Sequence, residues 1–81
     1  MFLRGQVVRS TAGRDKGYLM AVIDYDGNYV YVCDGKERRL SSPKRKNPHH
    51  IEITDRTLDE SGMRSDRGLR KSLRELEFNK E

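Results

Sequence analysis

A chain of 81 residues has room for one domain, and a domain of this length buries only about 60–65% of the surface its unfolded form exposes. Charged residues make up 37% of it, while Leu, Ile, Val and Phe number 17 of 81, so the core is small and a second one is excluded. Cys33 is the only cysteine, which excludes a disulfide framework and a Cys-based zinc site within one chain, and no apolar run approaches a signal-peptide core or a membrane span. These features predict a soluble, cytosolic protein without a membrane segment.

The net charge of +4 is unevenly placed. Residues 1–50 carry ten cations against five anions, and residues 51–81 carry seven against eight. A basic N-terminal part favours a polyanionic partner, although plain solubility accounts for a charge of this size equally well.

In chain order, Gly5 to Ser10 has the β-branched pair of a short strand. Ser10 to Gly17 then forms a loop with two glycines four apart and two cations, Arg14 and Lys16. Tyr18 to Tyr25 is a second strand, with Leu19, Ala21 and Ile23 expected inward and Met20 and Val22 partly covered on the other face. Asp26-Gly27 marks a hairpin into Tyr29 to Cys33, with Val30 and Val32 directed to the core and Tyr29, Tyr31 and Cys33 outward. Glu37 to Leu40 reads as a fourth strand, Ser41 to Pro48 as a basic loop bracketed by prolines, and His49 to Thr54 as a fifth strand with His50 capping the core and His49 at the surface.

Five short strands with tight turns predict a mainly β fold, a small SH3-like barrel over residues 1–54, with an OB-like barrel as the rival. Residues 55–64 read as a polar linker. In residues 65–81, Leu69, Leu73 and Leu76 make one stripe of a short C-terminal α-helix capped near Ser65 or Asp66, which docks on the barrel or stays a mobile tail.

Several motifs fall short of the chemistry they suggest. Gly13 to Gly17 has three residues between its glycines and Tyr18 after them, where a Walker A loop needs four and then Lys-Ser or Lys-Thr. Asp24, Asp26 and Asn28 open like a calcium loop, but the sixth and twelfth places hold Tyr29 and Gly35. His49 and His50, as neighbours in a strand, point to opposite faces and fit zinc poorly. No nucleophile is paired with a base at motif spacing, so no catalytic residue, metal or cofactor is expected.

The positive features are basic and aromatic. Lys44-Arg45-Lys46, with Arg38 and Arg39 upstream, is the densest cationic patch and reads as the main attraction for a nucleic-acid backbone. Gly13, Arg14, Lys16 and Gly17 form a loop suited to phosphates, and Tyr18 and Tyr29 are the candidates for base stacking, with Tyr31 assigned to covering the core. A protein-interaction module, using the barrel's aromatic face or the leucine stripe, is the alternative; a DNA-binding barrel is a weaker one.

Leu3 to Asp34 resembles a KOW motif: Gly5-Gln-Val-Val, the Gly13 to Gly17 loop, Leu19 to Ile23 and Tyr29-Val-Tyr-Val follow its strand, loop, strand course. Val32-Cys-Asp-Gly35 and His50-Ile-Glu-Ile-Thr54 are similar to parts of the archaeal and eukaryotic large-subunit ribosomal protein numbered fourteen. The resemblance implies a barrel that binds structured, ribosomal RNA through Arg14, Lys16 and neighbouring basic residues, with ribosomal proteins as further partners and a monomer when free. The tail is short and mixed in charge where that ribosomal relative has a long basic extension, a departure that leaves both a constitutive ribosomal component and an accessory factor that visits the ribosome open.

Overall fold

The computed structural model describes residues 1–78. Five strands are found among the described residues: β1 (Gln6–Ser10), β2 (Leu19–Tyr25), β3 (Val30–Cys33), β4 (Lys44–Lys46) and β5 (Ile51–Thr57), followed by one helix, α1 (Asp66–Phe78). They form a single antiparallel sheet in the order β4-β3-β2-β1-β5, in which β1 to β4 run as a meander and β5 returns beside β1, the arrangement of a small SH3-like barrel. A 3₁₀ turn at Pro48–His50 carries the chain from one edge strand to the other, and Thr11 N–H donates to the His50 carbonyl at 2.9 Å across that join.

Both faces of the sheet are buried. One face holds Val8, Met20, Val22, Val30 and Val32, with Phe2, Tyr25 and Ile51 packed against them. The other holds Val7, Leu19, Ala21 and Cys33, and is covered by Met63 and by Leu69 and Leu73 of α1, with Ile23, Leu40, Leu58 and Leu76 at its margin. This corrects the expectation that Met20 and Val22 are only partly covered: Met20 is 1% exposed and Val22 fully buried, because Phe2, Tyr25 and Ile51 pack over this face. Cys33, expected outward, is likewise buried, since outward at this point means beneath α1. Burial on both faces also explains why Leu19 to Ile23 is a continuous apolar run rather than an alternating one.

Within β2 the alternation is reset once. Val22 pairs with Val32 and Asp24 with Tyr31, leaving Ile23 as the extra residue of a bulge. Without it Tyr25 would face away from the Val30 side; with it, the Tyr25 ring meets Phe2 edge to face at 5.2 Å within the first core.

The fourth strand lies elsewhere than the sequence predicts. Residues 37–40 form no strand: Asp34 and Gly35 N–H groups both donate to the Arg38 carbonyl at 3.0 Å, closing a turn. Lys44–Lys46, expected as loop, is β4, paired to Val30, Tyr31 and Val32. Pro43 is compatible because it stands just before the strand, where no ladder donor is required. His49 and His50 lie in the 3₁₀ turn and are both exposed, so His50 caps no core.

The residues expected as a linker contain the end of β5 and a 3₁₀ turn at Glu60–Met63, and Met63 is 2% exposed. The helix docks. Ser65 Oγ accepts from Gly68 N–H at 3.0 Å as its cap, and Asp66 Oδ1 accepts from Leu40 N–H at 2.7 Å. Gly35 makes the approach possible: its φ is +80°, and a Cβ there would run into the Asp66 carbonyl oxygen and sit 3.0 Å from Arg70 N. The part of the expected 65–81 helix beyond Phe78 lies outside the described residues.

Candidate nucleic-acid interface

The loop between β1 and β2 is shaped by its own backbone. Gly13 and Gly17 have φ of +88° and +92°, and the Gly17 N–H donates to the Ser10 carbonyl at 2.8 Å. Gly17 therefore supplies turn geometry, and its amide is already committed. Asp15, between the loop's two cations, turns inward to receive three hydrogen bonds: Lys46 Nζ at 2.7 Å and Ser10 Oγ at 2.7 Å on Oδ1, and Lys44 Nζ at 3.2 Å on Oδ2. Partial burial pushes its carboxyl up, but the bonds from Lys46, Ser10 and Lys44 outweigh that and hold it well below the usual carboxylate range.

The Lys44-Arg45-Lys46 run is divided by the pleat. Lys44 and Lys46 register with Val32 and Val30 on the barrel's inner face, and Arg45 with Tyr31 on the outer one. Lys46 is buried and also donates to the Ala12 carbonyl at 3.0 Å, so it is a tie within the fold and not a surface cation. Lys44 is partly exposed while paired. Arg45 sits over the Tyr29 ring, 4.6 Å from its centroid, which occupies one face of that ring with a cation. Tyr31 Oη donates to Asp26 Oδ2 at 2.8 Å; that bond raises the phenol's pKa, and backbone bonds from Tyr29 and Asn28, with the Tyr31 bond, lower that of Asp26.

The Lys44–Asp15 pair forms part of a cleft that gathers other charged and aromatic side chains. Arg14 and Asp15 from the first loop, Tyr18 at the mouth of β2, Asp34, Glu37 and Arg38 from the turn after β3 and Lys44 from β4 line one cleft of about 460 Å³, with Met20 among its lining, so its three cations stand beside three carboxylates. Three predicted cations and one predicted stacking ring thus meet from four separate segments. Lys16 and Arg39 are exposed but stand outside this cleft. The Arg38 turn is held rigidly: Asp34 Oδ1 accepts from Lys36 and Arg38 N–H, each at 2.9 Å, and Arg70 of α1 donates to the Gly35 carbonyl at 3.0 Å.

No model of a known protein family matches this chain.

A second groove of about 400 Å³ lies beside the helix, lined by Tyr18, Leu19, Lys36, Arg70, Leu73 and Arg74, among others, and it shares Tyr18, Asp34 and Glu37 with the first cleft. Sequence reasoning missed Arg70 and Arg74, because the C-terminal part is near neutral by count. The available signal was positional: each follows a stripe leucine by one residue, Leu69 and Leu73, and so borders the buried face once the helix docks.

Proposed function

We propose that this chain is a non-catalytic, cytosolic RNA-binding protein that contacts structured ribosomal RNA as a ribosomal or ribosome-associated factor. The observation that supports it best is the convergence of Arg14, Arg38 and Lys44 around the exposed Tyr18 ring in one cleft. Cations for phosphates beside an aromatic face for a base is the combination RNA modules use. The KOW resemblance supports the same reading and supplies the ribosomal partner. Against the protein-interaction alternative, Leu69 and Leu73 are buried on the sheet, so that stripe is not free to hold a partner.

The test is binding of ribosomal RNA fragments across a salt series, together with co-sedimentation with ribosomal subunits before and after nuclease treatment. Arg14→Ala with Arg38→Ala is expected to weaken RNA binding and reduce the log–log salt slope by about 0.7 for each single-strand phosphate no longer neutralised. Association that survives complete RNA digestion would favour the protein-interaction reading instead.

A further inference from the structure

Tyr18 occupies an unusual position between two grooves, and the reason lies in β2. Leu19 and Met20 are successive strand residues and point to opposite faces of the sheet, one beneath α1 and one into the barrel. Each groove is lined by one of them, Met20 in the barrel cleft and Leu19 in the helix groove. Tyr18, immediately before the strand and 59% exposed, stands at the end of the sheet where the grooves meet.

The charges sort in the same way. The shared residues are Tyr18, Asp34 and Glu37, an aromatic ring with two carboxylates. The flanks are net cationic, with Arg14, Arg38 and Lys44 against Asp15 on one side and Lys36, Arg70 and Arg74 against Glu77 on the other. Carboxylates repel phosphates and accept hydrogen bonds from base amino groups, a role for Glu37 and for Asp34 Oδ2, since Asp34 Oδ1 already accepts from the Lys36 and Arg38 amides. The junction thus suits a base, and the flanks suit the phosphates before and after it.

Resting on the RNA-binding reading, we infer that an unpaired stretch of the RNA strand crosses the sheet end at Tyr18. One base stacks on that ring, and the backbone runs from the barrel cleft into the groove along α1. The occupant is single-stranded, because a paired base cannot leave its neighbours to reach the ring. Arg70 and Arg74 make the helix part of the binding surface as well as a cover for the core.

The test uses the full chain and two RNA probes of the same sequence, one with an unpaired loop and one fully annealed to its complement, read by fluorescence anisotropy. The loop probe is expected to bind more tightly. Tyr18→Leu is expected to weaken it roughly tenfold, within the cost of removing a stacking ring, while Tyr18→Phe keeps the affinity. Arg74→Ala is expected to weaken the loop probe and lower its salt slope by about 0.7. Equal affinity for the two probes, or loop binding that responds to Arg14→Ala but not to Tyr18→Leu or Arg74→Ala, overturns the path while leaving the RNA-binding reading in place. Failure of the unaltered protein to bind either probe overturns both. Thermal melts of each variant separate weakened binding from unfolding, and Tyr18 is exposed enough to be replaced without opening a cavity.

Discussion

Lys46 and Asp15, 31 residues apart, form a close ion pair: Nζ to Oδ1 is 2.7 Å, and the lysine side chain is only 5% exposed. The pair joins β4 to the β1–β2 loop, and so fixes where Arg14 projects. Removing Asp15 strands the Lys46 charge where water reaches poorly, whereas removing Lys46 leaves Asp15 its bonds from Ser10 and Lys44.

Asp15→Ala is therefore expected to destabilise the fold by about 2–3 kcal/mol, less than the ~3–5 kcal/mol of a fully buried pair because Asp15 keeps a solvent-facing edge. Urea denaturation measures it. Lys46→Ala should lose less, because Ser10 and Lys44 still hold Asp15, but more than Arg14→Ala and Arg38→Ala, both exposed, which should stay within about 0.5 kcal/mol of the unaltered protein. Equal stability for Lys46→Ala and Arg14→Ala would contradict a structural role for the one and a surface role for the other.

The same carboxylate predicts an acid limb. Its pKa in the folded state lies below the unfolded value of about 4, so the unfolded chain takes up the proton more readily. Its contribution is complete above that range and is lost as pH falls through and below it. Asp15→Asn should make stability less dependent on pH below about 5, measured as denaturation midpoints from pH 7 to pH 3. A variant with an unchanged acid limb would assign that limb to other carboxylates.

Cys33 lies under α1, and its Sγ donates to the Arg39 carbonyl at 3.1 Å. Burial, with the Asp66 and Asp34 carboxylates, pushes the thiol up to about 11. At pH 8 it should react with a thiol reagent only when the helix lifts or the chain unfolds. Labelling kinetics that match an exposed cysteine would show α1 undocked.

Gly35→Ala tests that docking from the other side. The new Cβ would collide with the Asp66 carbonyl oxygen at a positive φ, so the cost should exceed about 1 kcal/mol and fall on the helix. Cys33 labelling should accelerate in this variant. Leu69→Ala, which empties a fully buried position, is expected to cost about 2–5 kcal/mol with the same effect on labelling.

The strands β1, β2 and β3 are legible in the sequence because β-branched and apolar residues announce them, and the Asp26-Gly27 turn marks their hairpin. The helix is legible from Leu69, Leu73 and Leu76. β4 is not: three consecutive cations carry no β signal, and what makes them a strand is the distant Asp15 and the pairing with β3. Glu37 to Leu40 misleads for the opposite reason, since Asp34 captures the Lys36 and Arg38 amides in a local turn that competes with a ladder. At the site, Arg14, Arg38, Lys44 and Tyr18 are recognisable from residue type and loop position, but their meeting in one cleft depends on long-range folding. Lys46 reads as a surface cation because sequence shows its charge and not its partner.

Because β2 serves two apolar layers at once, barrel and helix cannot be separated like a module and its appendage. A fragment ending at Thr54 would leave Val7, Leu19, Ala21 and Cys33 facing water as one apolar sheet face, an invitation to self-association. Any attempt to graft this barrel alone into another protein must either redesign those four positions as polar or bring the helix along.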